Sequence, residues 1–210
     1  MIDEYEREIG GYFDDCAKRG HMWSFSPMEL QMLQTAMERW DIRPGHRILE
    51  PGCGSGRLTG YLARAVGPEG EVFACDLSKD MIGLASKRNL PETAVFYHGS
   101  VLGIPKEDDY FDKAVCLAVF PHFSDRTAAL AEIARVLKPG GDFWIDHFRS
   151  REAINDTHEN ASGVIVSHLI PPENDMEELL VGAGFDVQGI WNFDRGYCVH
   201  GVKQGTGIGH

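Results

Sequence analysis

Between residues 46 and 148, short apolar runs alternate with longer amphipathic segments. The runs predict five β-strands, at residues 46–50, 71–76, 94–98, 113–119 and 142–148. Helix-length segments separate most of these strands, although the stretch after the third is irregular. Strands that alternate with helices indicate a parallel sheet that helices cover on both faces.

The flanking segments add helices and one hairpin. Residues 3–18 predict an amphipathic helix, and a second helix begins at a capping box, Ser26 with Glu29, with Pro27 at its first position. After the fifth strand, residues 150–159 and 173–183 predict helices, and residues 163–170 remain ambiguous. Residues 185–192 and 197–203 predict a β-hairpin. The predicted fold is therefore an α/β, Rossmann-like, seven-stranded, mostly parallel sheet with helices on both faces and an antiparallel C-terminal hairpin.

A length of 210 residues predicts one domain. We expect four parts: a helical cap (1–43), a cofactor-binding core (44–148), a lid or insert (149–171), and a C-terminal helix and hairpin (172–205). The net charge of −12 opposes binding to nucleic acid or to a membrane surface. Five cysteines without a CxxC pair, an acidic N-terminus and the lack of a long apolar run predict a soluble cytoplasmic protein.

The segment LEPGCGSGR, residues 49–57, carries the strongest chemical signal, because a glycine-rich turn follows a strand and precedes a helix. Such turns bind nucleotides at the carboxyl ends of parallel strands. Arg57 stands where a dinucleotide-binding GxGxxG loop would have its last glycine, and Glu50 suits an ammonium group better than a pyrophosphate. Asp76, at the end of the next strand, can accept hydrogen bonds from ribose hydroxyls. A phosphate-free adenosine with a cationic amino-acid arm is S-adenosylmethionine.

Residues 44–147 resemble a class I S-adenosylmethionine-dependent methyltransferase. The motifs that carry the resemblance are LEPGCGSG, FACDLS, FYHGSVLGIP, YFDKAVC and ALAEIARVLKPGG. The last is similar to the small-molecule branch that includes ubiquinone- and menaquinone-pathway enzymes. The segment YFDDCA, at residues 12–17, resembles a helix that often covers the cofactor in that branch. The resemblance implies methyl transfer from S-adenosylmethionine to a small molecule, with S-adenosylhomocysteine as product.

The resemblance also implies which residues bind the cofactor. Gly52, Cys53 and Gly54 would line the methionine arm, with Glu50 holding the loop or the amine. Asp76 would bind the ribose. The remaining contacts would be Leu77 and Met81 beside the adenine, Ser100 and Val101 near its amine, and the Leu117 carbonyl near the ammonium group. Ser100 departs from the aspartate that the branch usually has.

Three histidines are candidate catalytic residues, as general bases or substrate contacts: His122, His147 and His158. With His168 they could converge on one pocket, although they could also be ordinary packing residues. Their spacing matches no short metal-ligand motif, so no metal is expected. Tyr12, Trp23 and Phe120 could form walls of the substrate pocket, or could belong to the core.

Three other functions remain open. An NAD(P)-dependent oxidoreductase is opposed by Arg57 and by the lack of a Tyr-x-x-x-Lys pair. A nucleic-acid or protein methyltransferase is opposed by the charge and by the lack of an Asn/Asp-Pro-Pro-Tyr motif. A cofactor-binding protein without activity is compatible with the sequence. We expect a monomer or homodimer acting on a small molecule, whose acceptor atom (O, N, S, C or a metalloid) the sequence leaves undetermined.

Overall fold

The computed structural model describes residues 2–20 and 24–205. The strands in this part of the chain are β1 Arg47–Pro51, β2 Glu71–Asp76, β3 Ala94–His98, β4 Phe111–Leu117, β5 Leu137–His147, β6 Phe185–Phe193 and β7 Gly196–Lys203. The α-helices are α1 Glu4–Lys18, α2 Pro27–Trp40, α3 Thr59–Val66, α4 Lys79–Ala85, α5 Arg126–Val136, α6 Arg151–Glu159 and α7 Glu173–Gly182. Two 3₁₀ turns cover Phe120–His122 and Gly163–Ser167.

One sheet contains all of these strands, in the order β3-β2-β1-β4-β5-β7-β6. Strands β1 to β5 pair in parallel, and β7 pairs antiparallel with both β5 and β6. This arrangement confirms the predicted Rossmann-like sheet with its C-terminal hairpin. The strand order reverses between β1 and β4, and ligands of open α/β sheets bind at the carboxyl ends of the strands at such a point.

Local capping signals in the sequence fix the starts of several helices. The predicted capping box of Ser26 and Glu29 begins α2, and the Ser78 side chain accepts the Met81 N–H at the start of α4. Residues 4–18 form the predicted first helix, with Asp3 as its N-cap. These hydrogen bonds satisfy backbone N–H groups that have no partner within the helix.

Several boundaries differ from the sequence prediction by one or two residues, and the start of β5 differs by five. Helix α3 begins only at Thr59, because the loop continues as turns beyond Gly56, whose φ is +74°. Strand β5 begins at Leu137 rather than Asp142, because Leu137 already pairs with Phe111. The segment between Leu137 and Asp142 bulges out before regular pairing with β4 resumes.

The strands alternate their side chains between two hydrophobic clusters. Leu49, Phe73 and Ile145 join the cluster that α5 and α7 cover. The residues immediately before Leu49, Phe73 and Ile145 join Trp40 and the cluster under α2 and α3. Burial on both faces explains the nearly continuous apolar runs of the central strands. Among the helices of residues 2–20 and 24–205, none is long and apolar enough to cross a membrane.

Candidate functional site

A cleft opens at the carboxyl ends of the strands, beside the point where β1 and β4 diverge. Its empty volume, including the open mouth, is about 930 Å³. The walls come from the loop after β1, the ends of β2 and β4, the turn after β3, and helix α1. The cleft is therefore formed jointly by the carboxyl ends of the strands and by helix α1, which lie far apart in the sequence.

Glycine is required in the loop after β1. Gly52, Gly54 and Gly56 all have positive φ angles, of 64°, 53° and 74°. A Cβ atom on Gly52 would lie 2.0 Å from Cγ2 of Val119. The loop is closed by a hydrogen bond of 3.0 Å from the Cys53 N–H to the Cys75 carbonyl. The backbone thus approaches the end of β4 more closely than any side chain would allow.

Asp76 fixes this loop from the end of β2. One carboxylate oxygen accepts the Gly54 N–H and the other accepts the Ser78 N–H, both at 2.8 Å. Burial raises the pKa of Asp76, while these two backbone hydrogen bonds act in the opposite direction. The carboxylate lies in the lining of the cleft, where the sequence predicts ribose binding.

Glu50 is a buried carboxyl group at the other end of the loop. Its side chain lines the cleft and the residue is 2% exposed. Within the part of the chain that the structure describes, its Oε2 atom has no hydrogen-bond partner. Burial raises the pKa of Glu50 to about 8, and the negative charge of Asp76 adds to this effect. A buried oxygen of this kind is costly without a partner, so the site suits a cationic or hydrogen-bond-donating ligand.

Helix α1 forms one wall of the cleft. Glu6, Ile9 and Phe13 line it, and Gly10 lies so close to β2 that a Cβ atom would be 2.8 Å from the Leu77 carbonyl oxygen. The Glu6 carboxylate is buried and accepts a hydrogen bond from the Ser100 hydroxyl. The predicted helix 3–18 therefore contributes a carboxylate to the cleft.

Nearly all of the predicted cofactor-binding residues line this one cleft. They are Glu50, Gly52, Cys53, Gly54, Asp76, Leu77, Met81, Val101 and Leu117. Ser100 is the exception, because its hydroxyl is used in hydrogen bonds to Glu6 and from the Leu102 N–H. Their contact with a cofactor remains a prediction.

Sequence reasoning missed Glu6, Ile9 and Phe13 as cleft residues. Glu6 completes a capping box with Asp3, a pattern that normally marks an exposed first turn. Ile9 and Phe13 are apolar positions of the predicted amphipathic helix, but their spacing cannot tell a core contact from a cavity wall. These residues could be identified only from the packing of α1 against the carboxyl ends of the strands.

A second cavity adjoins the cleft, and we refer to it as the histidine cavity. Its empty volume, including the mouth, is about 860 Å³. Its lining residues are Glu29, Arg57, Leu117, Ala118, His122, His147, Phe148, Arg149, Ile154, Thr157 and His158. All three predicted catalytic histidines thus surround one space, which shares Arg57, Leu117, Ala118 and His122 with the cleft.

Two histidines of this cavity, His122 and His147, have lowered pKa values that favour the neutral form. Burial lowers the pKa of His147 to about 3, and in the described chain its Nε2 atom lacks a hydrogen-bond partner. Burial also lowers the pKa of His122 well below its usual range, and the neighbouring histidines add to this. His168 contacts His122 through their Nδ1 atoms, 3.0 Å apart, although it does not line the cavity. Over residues 2–20 and 24–205, no group of three or more His, Cys, Asp or Glu side chains is placed to hold a metal ion.

Two of the aromatic residues for which the sequence left pocket or core open, Tyr12 and Phe120, do not line the cleft or the histidine cavity. Phe120 is fully buried in the hydrophobic core, because the 3₁₀ turn directs its ring onto Phe123, with the ring centroids 5.5 Å apart. Tyr12 packs edge-on against Phe13, and Phe13 takes the place in the cleft wall. Trp23 lies outside the described residues.

Arg57 is held between the two spaces by neighbouring side chains. Its guanidinium lies 3.6 Å from a Glu29 carboxylate oxygen and 4.3 Å from the centroid of the Phe25 ring. Glu29 thus partly offsets the positive charge of Arg57, and Glu50 lines the cleft with an oxygen that has no hydrogen-bond partner among the described residues. This arrangement opposes a pyrophosphate ligand and favours a cationic one.

Comparison with known proteins agrees with this geometry. Residues 49–145 match the family model described as methyltransferase domain. Methyltransferase GfsG of Streptomyces halstedii is 29% identical over 178 residues, which cover 74% of this chain and 63% of that protein. A demethylmenaquinone methyltransferase of Staphylococcus aureus (strain JH9) is 36% identical over 106 residues, which cover 50% of this chain and 44% of the enzyme. The chain thus spans less than two thirds of the length of either relative.

The fold is shared with solved structures. A putative S-adenosylmethionine-dependent methyltransferase of Methanococcus maripaludis superposes with a TM-score of 0.70 at 23% identity, covering 98% of this chain and 97% of that one. The family match includes the glycine loop, Asp76 and strands β2 to β4, which are the elements that build the cleft. Over residues 49–145 the chain is thus similar to a methyltransferase domain, and it shares its fold with solved structures described as S-adenosylmethionine-dependent methyltransferases.

Proposed function

We propose that this protein transfers the methyl group of S-adenosylmethionine to a small molecule bound in the histidine cavity. The observation that carries the proposal is the boundary between cleft and cavity, which Leu117, Ala118 and His122 form together with Arg57. A cofactor in the cleft and an acceptor in the cavity would meet at this boundary. Methyl transfer requires such an in-line approach of two bound molecules.

The residues of the cleft fit the cofactor. Glu50 offers a buried, unpartnered oxygen to the ammonium group, and the open space at Gly54 leaves room for the methionine arm. Asp76 would accept hydrogen bonds from the ribose hydroxyls, while Leu77 and Met81 would flank the adenine. S-adenosylmethionine, when bound, supplies a methyl group that its sulfonium already activates.

The protein has to orient the acceptor and exclude water. Holding two reactants in a reactive geometry can contribute about 7–11 kcal/mol to lowering a barrier. Neutral His122 and His147 can accept a hydrogen bond from an acceptor hydroxyl or amine, and a positioned general base adds roughly 10²- to 10⁴-fold. These roles of His122 and His147 fit a small acceptor that carries a proton on oxygen or nitrogen.

Calorimetric titration of the full chain with S-adenosylhomocysteine tests the cofactor assignment. Asp76→Ala should weaken binding at least about tenfold, because the variant loses both the ribose contact and two charge-assisted hydrogen bonds, each worth roughly 1.5–3 kcal/mol. Asp80→Ala, which removes an acid on α4 outside the cleft lining, is the matched control. Equal affinity of wild type and Asp76→Ala, or tighter binding of NADH, would contradict the assignment.

A screen of phenols, amines, thiols and carboxylic acids for formation of S-adenosylhomocysteine tests the activity itself. We expect turnover with at least one class, and His147→Gln should lower this turnover while leaving cofactor affinity unchanged. Cofactor binding without turnover across the screen would instead indicate a cofactor-binding protein without methyltransferase activity. A cytoplasmic location and a monomeric or homodimeric state remain part of the proposal, and sedimentation velocity measures the latter.

A further inference from the structure

Three side chains form a continuous hydrogen-bonded chain from the surface to the boundary of the two cavities. The residue Tyr5, on α1, is 40% exposed, and its hydroxyl oxygen lies 2.8 Å from His168 Nε2. His168 Nδ1 lies 3.0 Å from His122 Nδ1. The His122 ring lines both the cleft and the histidine cavity. Solvent and the place of methyl transfer are thus joined by two hydrogen bonds.

The chain has two proton arrangements. Between the two Nδ1 atoms of neutral His122 and His168 there is room for one proton. If His122 carries it, His168 is protonated on Nε2 and donates to the Tyr5 oxygen, and His122 Nε2 is a free acceptor. If His168 carries it, the Tyr5 hydroxyl donates to His168 Nε2, and His122 is protonated on Nε2. The first arrangement becomes the second when a proton moves along each bond toward Tyr5, one proton enters at His122 Nε2, and one leaves the Tyr5 hydroxyl to water.

The surroundings favour passage of a proton over its retention. His122 is faced by Phe13 of α1, His158 of α6 and His147 of β5, and Arg126 of α5 adds a positive charge nearby. Burial and these neighbours lower the pKa of His122, so that a lasting imidazolium is disfavoured.

The segment that carries His168 is held in place independently. Arg126 donates to the Leu169 carbonyl at 2.6 Å, and the His168 carbonyl lies within hydrogen-bond distance of His158 Nδ1. The backbone at His168 is therefore held without the contacts that the His168 side chain makes with Tyr5 and His122.

We propose that Tyr5, His168 and His122 form a proton relay, which carries to solvent the proton that the acceptor loses on methylation. This inference rests on the proposed function and specifies its substrate class. The acceptor must be protic, an alcohol, phenol, amine or thiol, because a thioether or tertiary amine releases no proton.

Methyl transfer and proton release along the relay conserve atoms and electrons. The acceptor atom donates its electron pair to the methyl carbon, and the pair of the broken sulfur–carbon bond stays on sulfur. The acceptor proton passes to His122 Nε2, and the Nδ1 proton of His122 passes to His168 Nδ1. The Nε2 proton of His168 passes to the Tyr5 oxygen, and the phenolic proton leaves to water. No oxidant or further reactant is required.

A purely structural role would give a different result from a relay when the Tyr5 hydroxyl is removed. If Tyr5 only packs against His168 and its hydroxyl does not set the proton positions, Tyr5→Phe would disturb His168 alone. In a relay, the change must also reach His122, which Tyr5 contacts through His168. The two roles are therefore separated by the tautomer of His122.

Nitrogen-15 NMR of the histidine rings in the full chain, with and without S-adenosylhomocysteine, measures that tautomer. In Tyr5→Phe, the chemical shifts of the two His122 ring nitrogens should move in opposite directions, because a tautomer change makes one nitrogen more and the other less protonated. Tyr61→Phe, at an equally exposed tyrosine (40%) on α3, should leave His122 unchanged. In a His168→Gln background, Tyr5→Phe should no longer affect His122.

Shifts at His168 alone, or shifts of both His122 nitrogens in the same direction, would overturn the relay. Binding of S-adenosylhomocysteine by the same samples separates this failure from failure of the proposed function. If Tyr5→Phe binds S-adenosylhomocysteine like wild type and His122 is unaffected, only the relay is wrong. If wild type itself does not bind it, the proposed function is wrong.

Discussion

Alanine in place of Gly52 puts a methyl group inside the volume of the Val119 side chain. The added Cβ atom would lie 2.0 Å from Cγ2 and 2.7 Å from Cβ of Val119. The φ angle of +64° at this position is unfavourable for alanine as well. Gly54 provides the matched comparison, because its φ angle of +53° is similar but its Cβ position has no atom within 4 Å.

The two variants therefore differ by the steric contact alone. A left-handed conformation costs an alanine about 1–2 kcal/mol, which is the whole expected loss in Gly54→Ala. Overpacking adds about 1–3 kcal/mol, so that Gly52→Ala should lose about 2–5 kcal/mol. At about 2–4 °C per kcal/mol for a chain of this size, the melting temperature should fall clearly further in Gly52→Ala.

Urea unfolding of the cofactor-free protein, followed by circular dichroism, measures both losses from the midpoint and the m-value. Affinity for S-adenosylhomocysteine should not follow the loss of stability, because the methyl group at Gly54 enters open space in the cleft lining. We expect Gly54→Ala to bind S-adenosylhomocysteine more weakly than its small stability loss would suggest. Equal unfolding midpoints for the two variants would refute the reasoning about Val119.

Two further predictions concern α1 and Glu50. Gly10→Ala should weaken binding of S-adenosylhomocysteine, measured by calorimetry, because its Cβ atom would push α1 away from the Leu77 carbonyl. The control is Gly11→Ala, because a Cβ atom at Gly11 would have no other atom within 4 Å. Gly11→Ala should instead stabilise the helix by roughly 0.5–1 kcal/mol. Between pH 4.5, the usual pKa of a glutamate, and the native pKa of about 8, folded Glu50 keeps a proton that the unfolded chain has released. Stability contributed by Glu50 therefore falls as pH rises through this window. Glu50→Gln should remove that fall, and parallel profiles of urea midpoint against pH for the two proteins would contradict the assignment.

The sequence was sufficient where local chemistry decides the structure. The spacing of apolar residues gave the five parallel strands, and the capping box at Ser26 gave the start of α2. The glycine loop and Asp76 could be placed at one sheet edge because the carboxyl ends of parallel strands lie together. Residues tied to strand ends were therefore the predictable part of the site.

Side chains that reach the site from other elements were less predictable. Phe13 lines the cleft, whereas Tyr12, which the sequence offered as a wall of the substrate pocket or as a core residue, packs beside it on the same helix. Phe120 is turned into the core by a 3₁₀ turn that apolar spacing does not specify. In both cases the apolar character of the residue was correct, and only the direction of its ring was open.

The sequence by itself determined the sheet, the glycine loop and the acids at the strand ends, because each depends on residues a few positions apart. Only the tertiary structure decided that Glu6 lies in the cleft, since it meets Ser100 across 94 positions of the chain. The same holds for Tyr5, which meets His168 across 163 positions. Such contacts depend on how α1 packs over the sheet edge, and this packing is fixed by the shape of the whole core rather than by any local pattern.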